Sequence, residues 1–162
     1  MDTTRQKSSV HRLLSPTAEG AQVLMVVAVF LPVLLGMVGI ALDVGLLITH
    51  RTERQRTADA AALAGAQYLM YNWASPTVVA DAKQWACTYA QKNDFGTGTC
   101  PNSEVIVNLP PGQGPHTCAA DPTNCNSYVE VKITRTDPTT FMKVLGINNQ
   151  TWAHAPSVAP RL

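Results

Sequence analysis

The residues whose types and spacing could carry chemistry are few. They are the cysteines Cys87, Cys100, Cys118 and Cys125, the lone carboxylate Asp43, the arginines Arg51, Arg54 and Arg56, and the scattered histidines His11, His50, His116 and His154. An even set of cysteines confined to one part of a chain points to disulfides formed in an oxidising compartment. Zinc is the rival chemistry, with His116 two positions before Cys118, but the chain has no Cys-x-x-Cys pair of the kind zinc sites use. Of the three possible connectivities, Cys87 with Cys100 and Cys118 with Cys125 close the shortest loops; the sequence leaves the choice open. The chain contains no Gly-x-Ser-x-Gly, no His-Glu-x-x-His and no phosphate-binding loop. Without a set of nucleophile, base and metal ligands, the expectation is a protein that is not an enzyme, with no catalytic residue, metal or cofactor.

Asp43 takes its meaning from what precedes it. No charged residue occurs from Gly20 to Leu42, and Val23 to Leu42 is an apolar run. A hydrocarbon core ~30 Å thick needs about 20 helical residues at about 1.5 Å each, so the run is expected to cross a membrane once. Signal peptides carry apolar cores of only about 7–15 residues next to a cleavage site, so an uncleaved anchor is the reading, with the mature chain beginning at or near Met1. Asp43 then falls at the outer headgroup level. It reads as an interfacial charge, either solvated at the boundary or paired with a basic group of a neighbouring subunit. Arg51, Arg54 and Arg56 are interleaved with Glu53 and Asp59 and read as a solvated face, not as a lipid-phosphate site.

Basic residues flank both ends of the run, so they do not orient it; the cysteines do. All four follow the run, which places the N-terminus inside and the rest of the chain extracytoplasmic, in a single-pass protein of the cytoplasmic membrane. Lys+Arg number 12 and Asp+Glu 11, without a basic patch, so no nucleic-acid partner is indicated. The partner that composition does indicate is the lipid bilayer.

The elements that position these residues follow from periodicity and punctuation. Residues 1–18 are polar and basic and read as a flexible cytoplasmic tail. Residues 19–72 read as a transmembrane and stem helix of about 50 residues, with Pro32 marking a kink or short unwound stretch in the span. Ala58, Ala61, Ala62, Gly65 and Ala66 lie four apart in the rows 57/61/65 and 58/62/66. They are helix-packing candidates, because small side chains let a neighbouring helix or this protein's own sheet approach closely. Residues 73–162 read as a small α+β head. Ser75 and Pro76 open a second helix whose apolar face is Val78, Ala82, Trp85, Ala86 and Tyr89. Period-two segments predict strands at Glu104–Leu109 and at Ser127–Thr136, the latter with Val129, Val131 and Ile133 on the buried side and Glu130, Lys132 and Thr134 on the wet side. A Pro- and Gly-rich loop pinned by Cys118 and Cys125 separates them. "DPTTFMKVLGI" predicts a short helix and "QTWAHAPSVA" a last strand. The fold class is thus α+β: a single transmembrane helix continuing into a long stem helix, and a small extracytoplasmic head with a second helix and an antiparallel sheet.

The run Glu19 to Leu69, with its Gly and Asp near the outer end of the span, its Arg and Gln stretch and its "ADAAALA" block at Ala58 to Ala64, resembles the N-terminal module of the TadE/TadG-like proteins of Flp (Tad) pilus assembly. Tyr128 to Ala155 resembles the end of such modules. The resemblance implies a membrane-anchored, pilin-like structural protein in assembly or anchoring of an adhesive surface pilus. It also implies other pilus-assembly or pilin-like subunits as partners, met through the stem helix. The chain lacks the von Willebrand factor A domain and the DxSxS motif of longer TadG-like proteins. Cleavage after Gly20 would put Met25, not the glutamate of processed pilins, at the fifth mature position, so processing by a prepilin peptidase is not expected. The alternative function is a membrane-tethered envelope-binding module that uses the Cys118 to Cys125 loop to recognise a ligand.

Overall fold

The structure is a computed structural model that describes residues 18–72, 74–153 and 156–161. The tail expected over residues 1–18 lies outside the described residues except for Ala18. Helix α1, Ala18–Tyr71, runs without interruption for 54 residues, about 81 Å at the standard rise. The helix continues through Pro32, without the unwound stretch expected there. One missing N–H costs a single intrahelical bond, and the leucines on both sides of Pro32 are good helix formers that continue the ladder.

The head is antiparallel and built around one long strand. Its elements are α2 (Val78–Gln91), β1 (Val105–Asn108), β2 (Tyr128–Pro138), β3 (Asn149–Ala153) and β4 (Ser157–Pro160), with short 3-10 turns at Cys125–Ser127 and Met142–Leu145. Strand β1 pairs with one edge of β2, with Val107 opposite Val131. The other edge of β2 is taken by β4 beside Tyr128–Val131 and by β3 beside Thr134–Pro138. The single closing strand expected from the sequence is therefore two short strands laid end to end along β2.

The alternation in β2 places Val129, Val131 and Ile133 at essentially zero exposure against the helices. They close a core with Ala58, Ala61, Ala62, Ala66 and Leu69 of α1 and Ala82, Ala86, Cys87 and Ala90 of α2. The buried face of α2 is thus its alanine and cysteine side, while Trp85 and Tyr89, expected inside, are exposed. Their bulk does not fit where α2 crosses α1 at close range. That closeness is visible at Gly65, where an added Cβ would lie 3.1 Å from the Ala82 carbonyl oxygen and from Val129 Cγ1. Of the expected wet side of β2, Lys132 and Thr134 are half-buried, but Glu130 is buried, its Oε2 accepting from Asn108 Nδ2 at 2.6 Å and from Gly112 N at 2.9 Å.

The segment expected as a short helix is mostly not one. Pro138 ends β2, and only Met142–Leu145 coil, as a 3-10 turn closed by Gly146 at φ 82°. None of its residues is buried, so no packing drives a longer helix. The four cysteines form two disulfides, Cys87–Cys100 and Cys118–Cys125. The first ties α2 to the approach to β1; the second closes the long loop before β2.

Candidate functional site

Strand β2 runs down the stem as α1 runs up it. Val129 touches Gly65, Asp137 pairs with Arg54, and the segment just after Pro138 reaches Asp43. One face of α1 therefore changes character along its length. From Ala58 to Leu69 it is small and apolar and meets α2 and the valines of β2. From Gly39 to Arg54 it is a ladder of glycine, carboxylate, imidazole and guanidinium that meets the last residues of β2 and the turn beyond.

The lower rung is Asp43. Expected at a solvated boundary or on a neighbouring subunit, it is instead 3% exposed and bound within its own chain. Its Oδ2 accepts the backbone N–H groups of Phe141 at 2.8 Å and Met142 at 2.6 Å, and its Oδ1 that of Thr140 at 3.2 Å. These N–H groups open the 3-10 turn and have no partner inside it, so the carboxylate caps it from another element. One turn below, Gly39 leaves room for the Phe141 ring: a Cβ there would lie 2.7 Å from Phe141 Cδ1. Glycine at 39 and aspartate at 43 thus form a seat, the first for a ring and the second for the backbone that carries it.

The upper rung is Arg54, expected on a solvated face and found 2% exposed. Its Nη2 donates to Asp137 Oδ2, and its Nη1 donates to the Arg135 carbonyl at 3.2 Å. His50 Nδ1 lies 3.3 Å from Asp137 Oδ1, so both carboxylate oxygens face α1. A buried arginine is tolerable only when paired and hydrogen-bonded, and Asp137 with a strand carbonyl supplies both. Arg56 stays exposed on another side of the helix. Between the rungs and the apolar core, Gln55 Nε2 donates to Ser157 Oγ at 2.9 Å and to Asp59 Oδ1 at 3.0 Å, tying α1 to β4.

The packing candidates Ala58, Ala61, Ala62, Gly65 and Ala66 all lie buried at this contact, on the protein's own head. Beyond its edge, Leu63, Ala66, Gln67 and Met70 line a groove completed by Pro160, with Leu63 and Gln67 open to solvent. Near the top of the stem, Tyr68 stacks on Trp85 and its hydroxyl donates to Asp81 Oδ2 at 3.3 Å. Burial first, and then the Asp81 charge and hydrogen bond, hold the Tyr68 phenol above its usual range. On either side of the loop closed by Cys118–Cys125, the rings of His116 and Tyr128 stack with centroids 3.9 Å apart. The four cysteines lie in two separate places and do not converge.

Such an arrangement can hold a head rigidly along a helix. Below Asp43 the large apolar residues of α1, from Val23 to Leu42, are exposed, and the helix is long and apolar enough to be a candidate membrane span. The class is an α+β head clamped to the C-terminal part of a candidate anchoring helix. Residues 21–67 match the family described as putative Flp pilus-assembly TadE/G-like. The match covers the exposed apolar segment, the Asp43 and Arg54 rungs and most of the small-residue row, and it supports a role related to pilus assembly. It does not extend to the Tyr128–Ala155 segment. No curated protein and no solved structure matches the chain.

Proposed function

We propose that this chain is a single-pass, membrane-anchored, pilin-like structural protein that serves the assembly or anchoring of a Flp/Tad-type adhesive pilus, without enzymatic activity. The observation that carries the reading is the family match over residues 21–67, which coincides with the helix that passes from exposed apolar residues to a clamped stem. In this reading the N-terminus is cytoplasmic and the head extracytoplasmic, where both disulfides are stable.

Since the head occupies the small-residue face of the stem, partner subunits take the open flank beside it, around the groove of Leu63, Gln67 and Met70. The rungs at Asp43 and Arg54 fix the angle at which the head leaves the membrane. That constraint suits a subunit whose position in an assembly depends on its helix. The test is genetic: deleting the gene from a cell that builds such pili should abolish or sharply reduce surface filaments, with rescue by the full chain and not by residues 73–162 alone. Normal piliation in the deletion strain would refute the reading.

A further inference from the structure

We propose that the turn after β2, residues 139–147, is a second membrane contact: its apolar side chains seat in the lipid at the outer edge of the bilayer, beside the anchoring helix. Phe141, Val144, Leu145 and Ile147 are all exposed within seven consecutive residues, Val144 at 87% and Leu145 at 65%. Elsewhere on the head the exposed large apolar residues are the single Val79 and Ile106 and the half-exposed pair Trp85 and Tyr89 of α2, whereas a run of four with side chains as bare as Val144 and Leu145 marks an interaction surface.

The occupant follows from where the cluster is fixed. Phe141 lies against Gly39, and the turn's backbone is bound to Asp43. Counting from Val23 at about 1.5 Å per residue, Gly39 lies ~24 Å and Asp43 ~30 Å along the helix, the far margin of a ~30 Å hydrocarbon core. The turn is therefore held at the depth where interfacial elements rest, ~5–10 Å into the boundary between headgroups and acyl chains. At the same level of α1, Leu42 is exposed too, so the turn adds to an apolar surface the helix already presents there. Lys143, exposed in the middle of the turn, has the long stem and terminal charge that let a lysine reach lipid phosphates while its neighbours stay in the acyl region. Asp43, the one carboxylate at this level of α1, is covered by the turn, so the patch offers the bilayer no bare negative charge.

The inference rests on α1 being the membrane span, and the test separates the two. The full chain is reconstituted in phosphatidylcholine vesicles with a fluorescent dansyl amino acid in place of Leu145, of Leu35 in the apolar run, or of Asn126 at the far end of β2. Lipids brominated in their acyl chains serve as short-range quenchers. The expected result is quenching at position 145 at least about half as strong as at position 35, since an interfacial face reaches the upper acyl chain, with none at position 126. Quenching at 35 but not at 145 overturns the second contact and leaves the span standing. Absence of quenching at both positions overturns the span and the contact together. A blue-shifted but unquenched probe at 145 assigns the patch to a protein neighbour and overturns the lipid contact.

Discussion

Asp43 and Phe141 are separated by 98 positions in the chain, and the carboxylate of the first accepts the backbone N–H of the second at 2.8 Å. This bond, with its companions from Thr140 and Met142, joins the C-terminal end of the apolar run to the far end of the head's central strand. Replacing Asp43 with Ala removes all three acceptors at once. Hydrogen bonds to charged groups contribute about 1.5–3 kcal/mol each at most, and the freed N–H groups regain water in part, so a loss of about 2 kcal/mol is expected. Hydrogen exchange should show the amides of 140–142 losing protection while those of Val129 and Val131 keep theirs. Equal protection in the variant would mean the carboxylate is not the fastener.

Arg54 and Asp137 give a sharper test, because neither is solvated. Arg54→Met leaves a buried carboxylate beside His50 without its guanidinium, and breaking such a pair costs about 3–5 kcal/mol. Changing both, Arg54→Met with Asp137→Leu, should destabilise much less than the sum of the single changes, since no charge is then left stranded. Denaturant titration in detergent reads the cycle. Additive effects would show that the pair does not couple the strand to the stem.

Much of this architecture is legible in the sequence. The charge-free run, the small-residue rows and the alternation of Val129, Val131 and Ile133 each declare themselves within a dozen residues, because helix and strand periods are local. The rungs do not, since what buries Asp43 and Arg54 lies more than eighty positions away. A signal was nonetheless available: Gly39, Asp43, Leu47, His50, Arg54 and Ala58 recur at intervals of three and four, on the same helix face as the alanines. Read by charge alone, that face looks solvated; read by phase, it continues the packing row. The error at Trp85 and Tyr89 has the opposite origin. Their apolar character suggests burial, whereas the close crossing at Gly65 admits only alanine and cysteine from α2.

The small-residue face predicts its own mutational map. Ala61→Leu and Ala62→Leu add bulk where both alanines have essentially no exposure, and overpacking there should cost about 1–3 kcal/mol. Leu63→Ala, on the exposed flank, should stay within about 0.5 kcal/mol. Melting temperatures in one detergent check the contrast, and a neutral Ala62→Leu would remove the close contact from the account.

The two disulfides should differ in what they hold. Cys87 and Cys100 are both buried and join α2 to the approach to β1, whereas Cys118 lies exposed on the long loop. Replacing Cys87 and Cys100 together with Ala should cost about 2–4 kcal/mol, the usual range for a native crosslink. Replacing Cys118 and Cys125 should cost less. In chain isolated without reductant, all four should resist alkylation, and peptide mapping should link 87 to 100 and 118 to 125. Free thiols would contradict an extracytoplasmic head.

The central claim, that the stem gives one face to its own head and the other to pilus-assembly partners, is tested most directly by photocrosslinking in piliated cells. A photoreactive amino acid is placed at Leu63 or Gln67 on the open side, and at Ala61 on the clamped side. The account predicts crosslinks from positions 63 and 67 to other subunits of the pilus machinery, identified by mass spectrometry, and only internal crosslinks to the head from position 61. Crosslinks to pilus subunits from position 61, or none from 63 and 67 in cells that still make filaments, would contradict it.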